Sequence, residues 1–314
     1  MLQSEVVSHL IQQIYHSRPD LKLSKRAVHK ILFKVRTALP EDDPVRKNIP
    51  FYWYNYGPYS EVVEASIDTL KVKGILREEE THRGNSLLML TTTNLTDTLN
   101  ELEEASAIVE RIVRNIDPYH IESFVNQIYR EDAPYEFMPL YKVDFLNLFE
   151  EYLKLHPVGQ TTLNRYIEDD TNPQIDRLEN LIYDCEAELV EEPLFEEFND
   201  EFTSYVSGAG KAFDIIRKNE DNAYTITEST CKTAVEIWYT FVKGVRILDE
   251  GHDEYYDNKL EQWEVEYRSA ISNMISEVNA FNRNIRESVR PTNHRNANDR
   301  SKRILSSLIE GYLS

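Results

Sequence analysis

Arg114 and His120 are the two residues of this chain whose types and spacing could share a reaction. A guanidinium can steady a phosphate and an imidazole can move a proton at neutral pH, and together they would cleave a phosphodiester. Pro118 stands between them and breaks the helix that would set both on one face. The same residues also read as a helix end, with Arg114 near the C-terminal dipole and His120 opening the next helix. Val206-Ser-Gly-Ala-Gly-Lys211 imitates part of a phosphate-binding loop. Tyr205 occupies the place of the first glycine and Ala212 that of the Mg²⁺-binding hydroxyl, so no nucleotide is expected there. The eight histidines are scattered without a His-Glu-x-x-His pair, and His252-Asp253-Glu254 reads as the polar start of a helix. No metal, no cofactor and no catalytic residue is therefore expected, Arg114 and His120 being the alternative.

These residues depend on the elements that carry them. Val6, Val7, Leu10, Ile11 and Ile14 form a helical stripe that Arg18-Pro19 ends. Ser24 caps a second helix with Val28, Ile31, Leu32 and Val35 inward and Arg26, Lys30 and Lys34 on another face. Phe51-Tyr-Trp-Tyr-Asn-Tyr-Gly-Pro-Tyr-Ser60 packs six aromatics into nine residues. Its first part reads as a short extended segment, and Gly57-Pro58 as the turn that follows. A third helix opens at Tyr59 or Ser60 and closes at Gly74. Residues 75–80 and 86–91 read as two strands joined through 81–85. Three helices followed by a hairpin predict a winged helix over 1–92.

The segment from Phe51 to Leu76 resembles the Panacea-type domain of antitoxins and of phage- and defence-associated proteins. The matching residues are Trp53, Tyr56, Gly57, Pro58, Leu70, Gly74 and Ile75, and the likeness covers only about the first 90 residues. It implies a non-catalytic, partner-binding role, with Trp53, Tyr56, Gly57, Pro58 and Tyr59 at the contact. The same aromatics also suit a core, since large rings bury well. Arg114 and His120 in turn resemble the Arg-polar-x-His motif of HEPN ribonucleases, with Pro118 as a departure from it.

Beyond residue 92 an acidic all-α domain is expected over 93–289. Helices are predicted at 99–116, 120–129, 141–155, 174–188, 227–248 and 253–288, and the segment 191–201 mixes carboxylates with phenylalanines. In the last helix Tyr256, Leu260, Trp263, Tyr267, Ala270, Met274, Val278, Phe281 and Ile285 follow a near-heptad spacing. That stripe packs on its own bundle or forms a seam between two copies. Residues 290–314 read as a basic tether and a short amphipathic helix. Ile304, Leu305, Leu308, Ile309 and Tyr312 form its apolar face, to dock on a partner or on the chain's own bundle.

Composition narrows the function classes. Residues 1–90 carry 13 Lys and Arg against 11 Asp and Glu, residues 91–280 carry 15 against 41, and residues 281–314 carry 7 against 3. An acidic middle repels phosphate, so nucleic acid is expected to bind only weakly or indirectly. Two cysteines make no disulfide framework. No stretch is long and apolar enough for a membrane, and no basic leader precedes an apolar run, so a cytoplasmic setting is expected. The leading expectation is a subunit that binds another protein, a toxin or an SMC-type or defence ATPase. The alternatives are three: a winged-helix DNA-binding regulator using Lys25, Arg26, Lys30, Lys34 and Arg83, an accessory subunit of an SMC-type complex, and a HEPN-like ribonuclease.

Overall fold

The structure, a computed structural model, describes residues 2–80, 86–91, 100–117, 120–156, 172–218, 222–248 and 254–289. Arg83 and the 290–314 tail, with Ile304, Leu305, Leu308, Ile309 and Tyr312, lie outside the described residues. The described part is mainly helical, with two small antiparallel sheets.

Helix α1 (Gln3–Ser17) buries its predicted stripe, and α2 (Lys25–Ala38) starts where Ser24 Oγ accepts the Ala27 amide at 3.2 Å. A single turn, α3 (Pro44–Lys47), follows. The aromatic segment departs from expectation, because it is a hairpin in itself. Strand β1 (Tyr52–Tyr54) pairs with β2 (Gly57–Tyr59) in the register Tyr52–Tyr59, Trp53–Pro58, Tyr54–Gly57. The turn is therefore Asn55-Tyr56, and Gly57-Pro58 belong to the second strand. Gly57 makes this possible by leaving the turn at φ +88°, and a two-stranded ladder has open edges that tolerate a proline. Helix α4 (Glu61–Val72) follows, capped by Ser60 Oγ on the Val63 amide, and the chain passes Gly74 into β3 (Leu76–Glu80), paired with β4 (Ser86–Leu90). Leu23 and Leu88 exchange backbone hydrogen bonds of 3.1 and 2.7 Å, which ties β4 to the α1–α2 connection.

The remaining described elements are helical. They are α5 (Glu103–Asn115), α6 (Ile121–Asp132), α7 (Phe137–Pro139), a π-helical stretch (Leu140–Leu146) running into α8 (Asn147–Leu155), α9 (Pro173–Val190), α10 (Glu196–Arg217), α11 (Ala223–Leu248) and α12 (Leu260–Val289). Helix α5 packs on α1 and α2, and Arg18 Nη1 donates to the carbonyls of Val113 and Ile116 at 3.3 and 2.9 Å. One apolar cluster runs from Val6 to Ile285 and takes side chains from both sides of position 92.

The seam along α12 is filled within the chain. Tyr256, Trp263, Ala270, Met274, Val278, Phe281 and Ile285 are buried, and α12 lies against α10 and α11. The stripe expected as a possible contact between copies is thus occupied by the chain's own bundle. Helix α10 was not foreseen as a helix. Phe195, Phe198, Phe202, Tyr205, Ala209 and Phe213 face inward, and the loop-like Gly208-Ala-Gly-Lys lies inside it. A Cβ at Gly208 would stand 2.8 Å from Phe281 Cε1, so this glycine lets α10 and α12 approach.

Candidate functional site

The aromatic hairpin is the part of the molecule where ionisable and aromatic side chains converge, and α2 supplies its floor. His29 Nδ1 accepts the Ser60 amide at 3.2 Å. The other ring nitrogen therefore carries the proton and points at Glu64 Oε2, 3.3 Å away. Burial pushes the His29 imidazole below its ordinary range. The hydrogen bond from His29, joined by Lys25, holds the Glu64 carboxyl down at about 2. Tyr59 stacks on His29 with ring centroids 4.6 Å apart.

Lys30 is the second floor residue and is only 2% exposed. Its Nζ donates to the Pro58 carbonyl at 2.7 Å, and burial drives the amine well below the ordinary lysine range. Gly57 lies directly over it. A Cβ there would meet Lys30 Nζ at 3.1 Å and Tyr129 Oη at 3.3 Å. Position 57 favours glycine for its φ, and a side chain there would press on Lys30 and Tyr129.

Three clamps hold the hairpin from the far side of the chain. Trp238 Nε1 on α11 donates to the Asn55 carbonyl at 2.8 Å. Tyr239 and Tyr56 join their hydroxyls at 3.2 Å. Tyr52 packs edge-on to Tyr256, with centroids 4.8 Å apart, and tilted against Trp263 at 4.9 Å.

What the hairpin leaves outside is a cleft of about 190 Å³, walled by Tyr54, Tyr56, Pro58 and Tyr59 with Lys25 and Arg26 at its edge. Tyr56 is 50% exposed and Tyr54 37%. Trp53 faces the other way, buried against Phe33 and Tyr129. The five residues expected at a partner contact thus divide: Trp53, Gly57 and Pro58 are buried, while Tyr56 and Tyr59 reach the surface.

The basic face of α2 is spent internally. Lys25 pairs with Glu64 and Asp68, Arg26 grips Glu122 through both terminal nitrogens at 3.3 and 3.2 Å, and Lys34 pairs with Glu131 and Asp132 at 3.0 and 2.9 Å. With Lys30 buried, the expected phosphate-facing row is a row of ties to α4 and α6. The carboxylates on α6 come from about a hundred residues away, so spacing within α2 could not disclose them. Arg114 and His120 are not brought together. Arg114 bonds Glu110 on its own helix, His120 bonds Asp117 at 2.6 Å ahead of α6, and both are largely exposed.

Among the described residues, no group of three or more His, Cys, Asp or Glu could hold a metal, and no helix is long and apolar enough to cross a membrane. No family model, curated protein or solved structure matches this chain. Sequence reasoning missed the His29–Glu64 pair and the role of Tyr239, Trp238 and Trp263 behind the hairpin. Only tertiary packing joins them, although the crowding of tyrosines at 52–59 did mark the place.

Proposed function

We propose that this chain is a non-catalytic subunit that binds a partner protein through the tyrosine face of the hairpin, taking an apolar side chain of the partner between Tyr54, Tyr56 and Tyr59. The observation that carries the reading is the two half-exposed tyrosines on a strand pair anchored from behind by Trp238, Tyr239 and Tyr256. Exposed rings on a rigid base are the typical anchors of protein interfaces. Of the cations beside the cleft, Lys25 and Arg26 are already paired with carboxylates and Lys30 is buried on the Pro58 carbonyl, which favours an apolar insert over a phosphate or an acidic side chain. The resemblance to Panacea-type domains points the same way and suggests a toxin–antitoxin or anti-phage setting.

The test is capture from the native host by full-length wild type and by a Tyr54→Ser/Tyr56→Ser variant, followed by reconstitution with the purified partner. The variant should lose affinity by about tenfold or more, since each truncation removes a central anchor, whereas Tyr56→Phe, which gives up only the hydroxyl link to Tyr239, should keep most of it and so separates contact from anchoring. Equal affinity of wild type and the double variant would rule the hairpin out as the contact.

A further inference from the structure

A second cleft adjoins the hairpin and is built around a buried charge. Arg246, on α11, is only 5% exposed. Its guanidinium lies over the rings of Tyr54, Tyr52 and Trp263 at 4.9, 5.6 and 5.7 Å. Ring faces attract a cation but supply no lone pairs for its N–H groups. Among the described residues Arg246 Nε has no hydrogen-bond partner, and the carboxylate paired with it, Glu266, is 41% exposed with its Oε2 3.9 Å from Nη1. That distance is an ion pair without a hydrogen bond. A buried guanidinium so poorly matched costs free energy that a planar oxyanion would offset, because the guanidinium fork fits it through parallel N–H bonds.

The cleft that Arg246 helps to wall has room for such a group. It encloses about 170 Å³ between Phe33, Arg36, Thr37, Tyr52, Trp53 and Arg246, with Asp132 at its polar side held by Lys34. Drug-sized sites span roughly 300–1,000 Å³, so this one suits a ligand near the size of a single ring. Aromatic walls call for an apolar body. The net charge of −20 and the nearby Asp132 and Glu266 argue against a dianion. We propose that this cleft binds a small aromatic monocarboxylate, its carboxylate on Arg246 and its ring against Tyr52 and Trp53. The two clefts adjoin through Tyr54, whose ring lies under Arg246, but Arg246, Arg36 and Phe33 do not line the tyrosine cleft, so the substitutions at Arg246 and Glu266 test this assignment without touching that face.

The test uses the full-length chain and three probes that share a phenyl ring: benzoate, the neutral and planar benzamide, and the bulkier dianionic phenyl phosphate. Trp53 and Trp263 report binding through their fluorescence, and calorimetry confirms the affinity. Benzoate should saturate the signal with a Kd near or below about 1 mM, and benzamide should bind about tenfold more weakly or worse. Glu266→Gln removes the carboxylate that competes for the guanidinium, so benzoate should bind several-fold tighter to that variant. Arg246→Met should lose about tenfold or more in affinity for benzoate but little for benzamide. Because Arg246→Met removes a packed cation and could unfold the chain, the surface substitution Glu266→Gln decides the matter independently. Benzoate and benzamide binding alike, no saturation by benzoate, or a Glu266→Gln variant with unchanged affinity would each overturn the proposal. Tighter binding of phenyl phosphate would overturn the choice of a monocarboxylate.

Discussion

Gly57 concentrates two constraints in one residue. Its φ of +88° lies where a side chain is disfavoured, and a Cβ added there would stand 3.1 Å from Lys30 Nζ and 3.3 Å from Tyr129 Oη. Gly57→Ala should therefore cost about 1–3 kcal/mol, read as a lower urea midpoint with an unchanged slope. A neutral or stabilising result would mean that the turn is free to rearrange. His29 and Glu64 make the second residue-scale case. Glu64 falls from an ordinary value of 4.5 to about 2 on folding, so its contribution is full above 4.5 and is lost as pH falls towards 2. His29, lowered from 6.5 by burial, acts in the same direction, because the unfolded chain takes up its proton first as pH drops below 6.5. Stability should decline steadily from neutral pH into acid, and Glu64→Gln should flatten the part below 4.5. Urea midpoints of both proteins across that range are the measurement. Parallel curves would show that the pair contributes nothing.

At the scale of elements, periodicity decided what could be read in advance. The stripes of α1, α2, α11 and α12 were legible because each repeats an inward residue every three or four positions and ends at a Ser cap, a glycine or a proline. Helix α10 is hard to see in the sequence although Phe195, Phe198 and Phe202 keep the same spacing, because dense carboxylates and two glycines interrupt the apolar pattern. The hairpin β1–β2 was compressed into one strand, since three-residue strands are too short for alternation to show. The candidate site was legible as a place and not as a set of partners: the tyrosines were adjacent in sequence, whereas the carboxylates that claim Arg26 and Lys34 come from α6. The α10–α12 crossing gives a sign test. Helix propensity alone predicts that Gly208→Ala stabilises by about 1 kcal/mol. The crossing predicts the reverse, because the new methyl would stand 2.8 Å from Phe281 and 2.0 Å from Asn282 Oδ1. A loss of about 1–3 kcal/mol is expected. Asn282→Ala should return part of that loss in a double-mutant cycle, and a more stable Gly208→Ala would refute the close crossing.

At the scale of the whole molecule, the question is whether the first 92 residues can stand without the rest. Their own helices and the β3–β4 hairpin give them a start on a core. The β1–β2 hairpin, however, is packed from outside. Trp53 rests on Tyr129 of α6, Tyr52 on Tyr256 just ahead of α12 and on Trp263 within it, and the Asn55 carbonyl is satisfied by Trp238 of α11. Tyr256 Oη also reaches the Pro50 carbonyl at 3.4 Å, and Lys259 pairs with Glu61. On α2, the partners of Arg26 and Lys34 would vanish with α6 and leave a basic face unpaired. A fragment of residues 1–92 would thus expose rings that are buried in the intact chain, each worth about 1.5–3 kcal/mol in transfer from water. For Tyr52 and Trp53 together that is about 3–6 kcal/mol, comparable with the lower part of the 5–15 kcal/mol by which folded domains typically persist. The isolated fragment should show no cooperative thermal transition and weak near-UV circular dichroism. The intact chain should unfold in one transition whose calorimetric and van't Hoff enthalpies agree. Two resolved transitions, or a fragment that melts cooperatively on its own, would show that the shared core does not couple the two parts. In that case the anchoring of the hairpin from behind would lose its force as an argument for a rigid binding face.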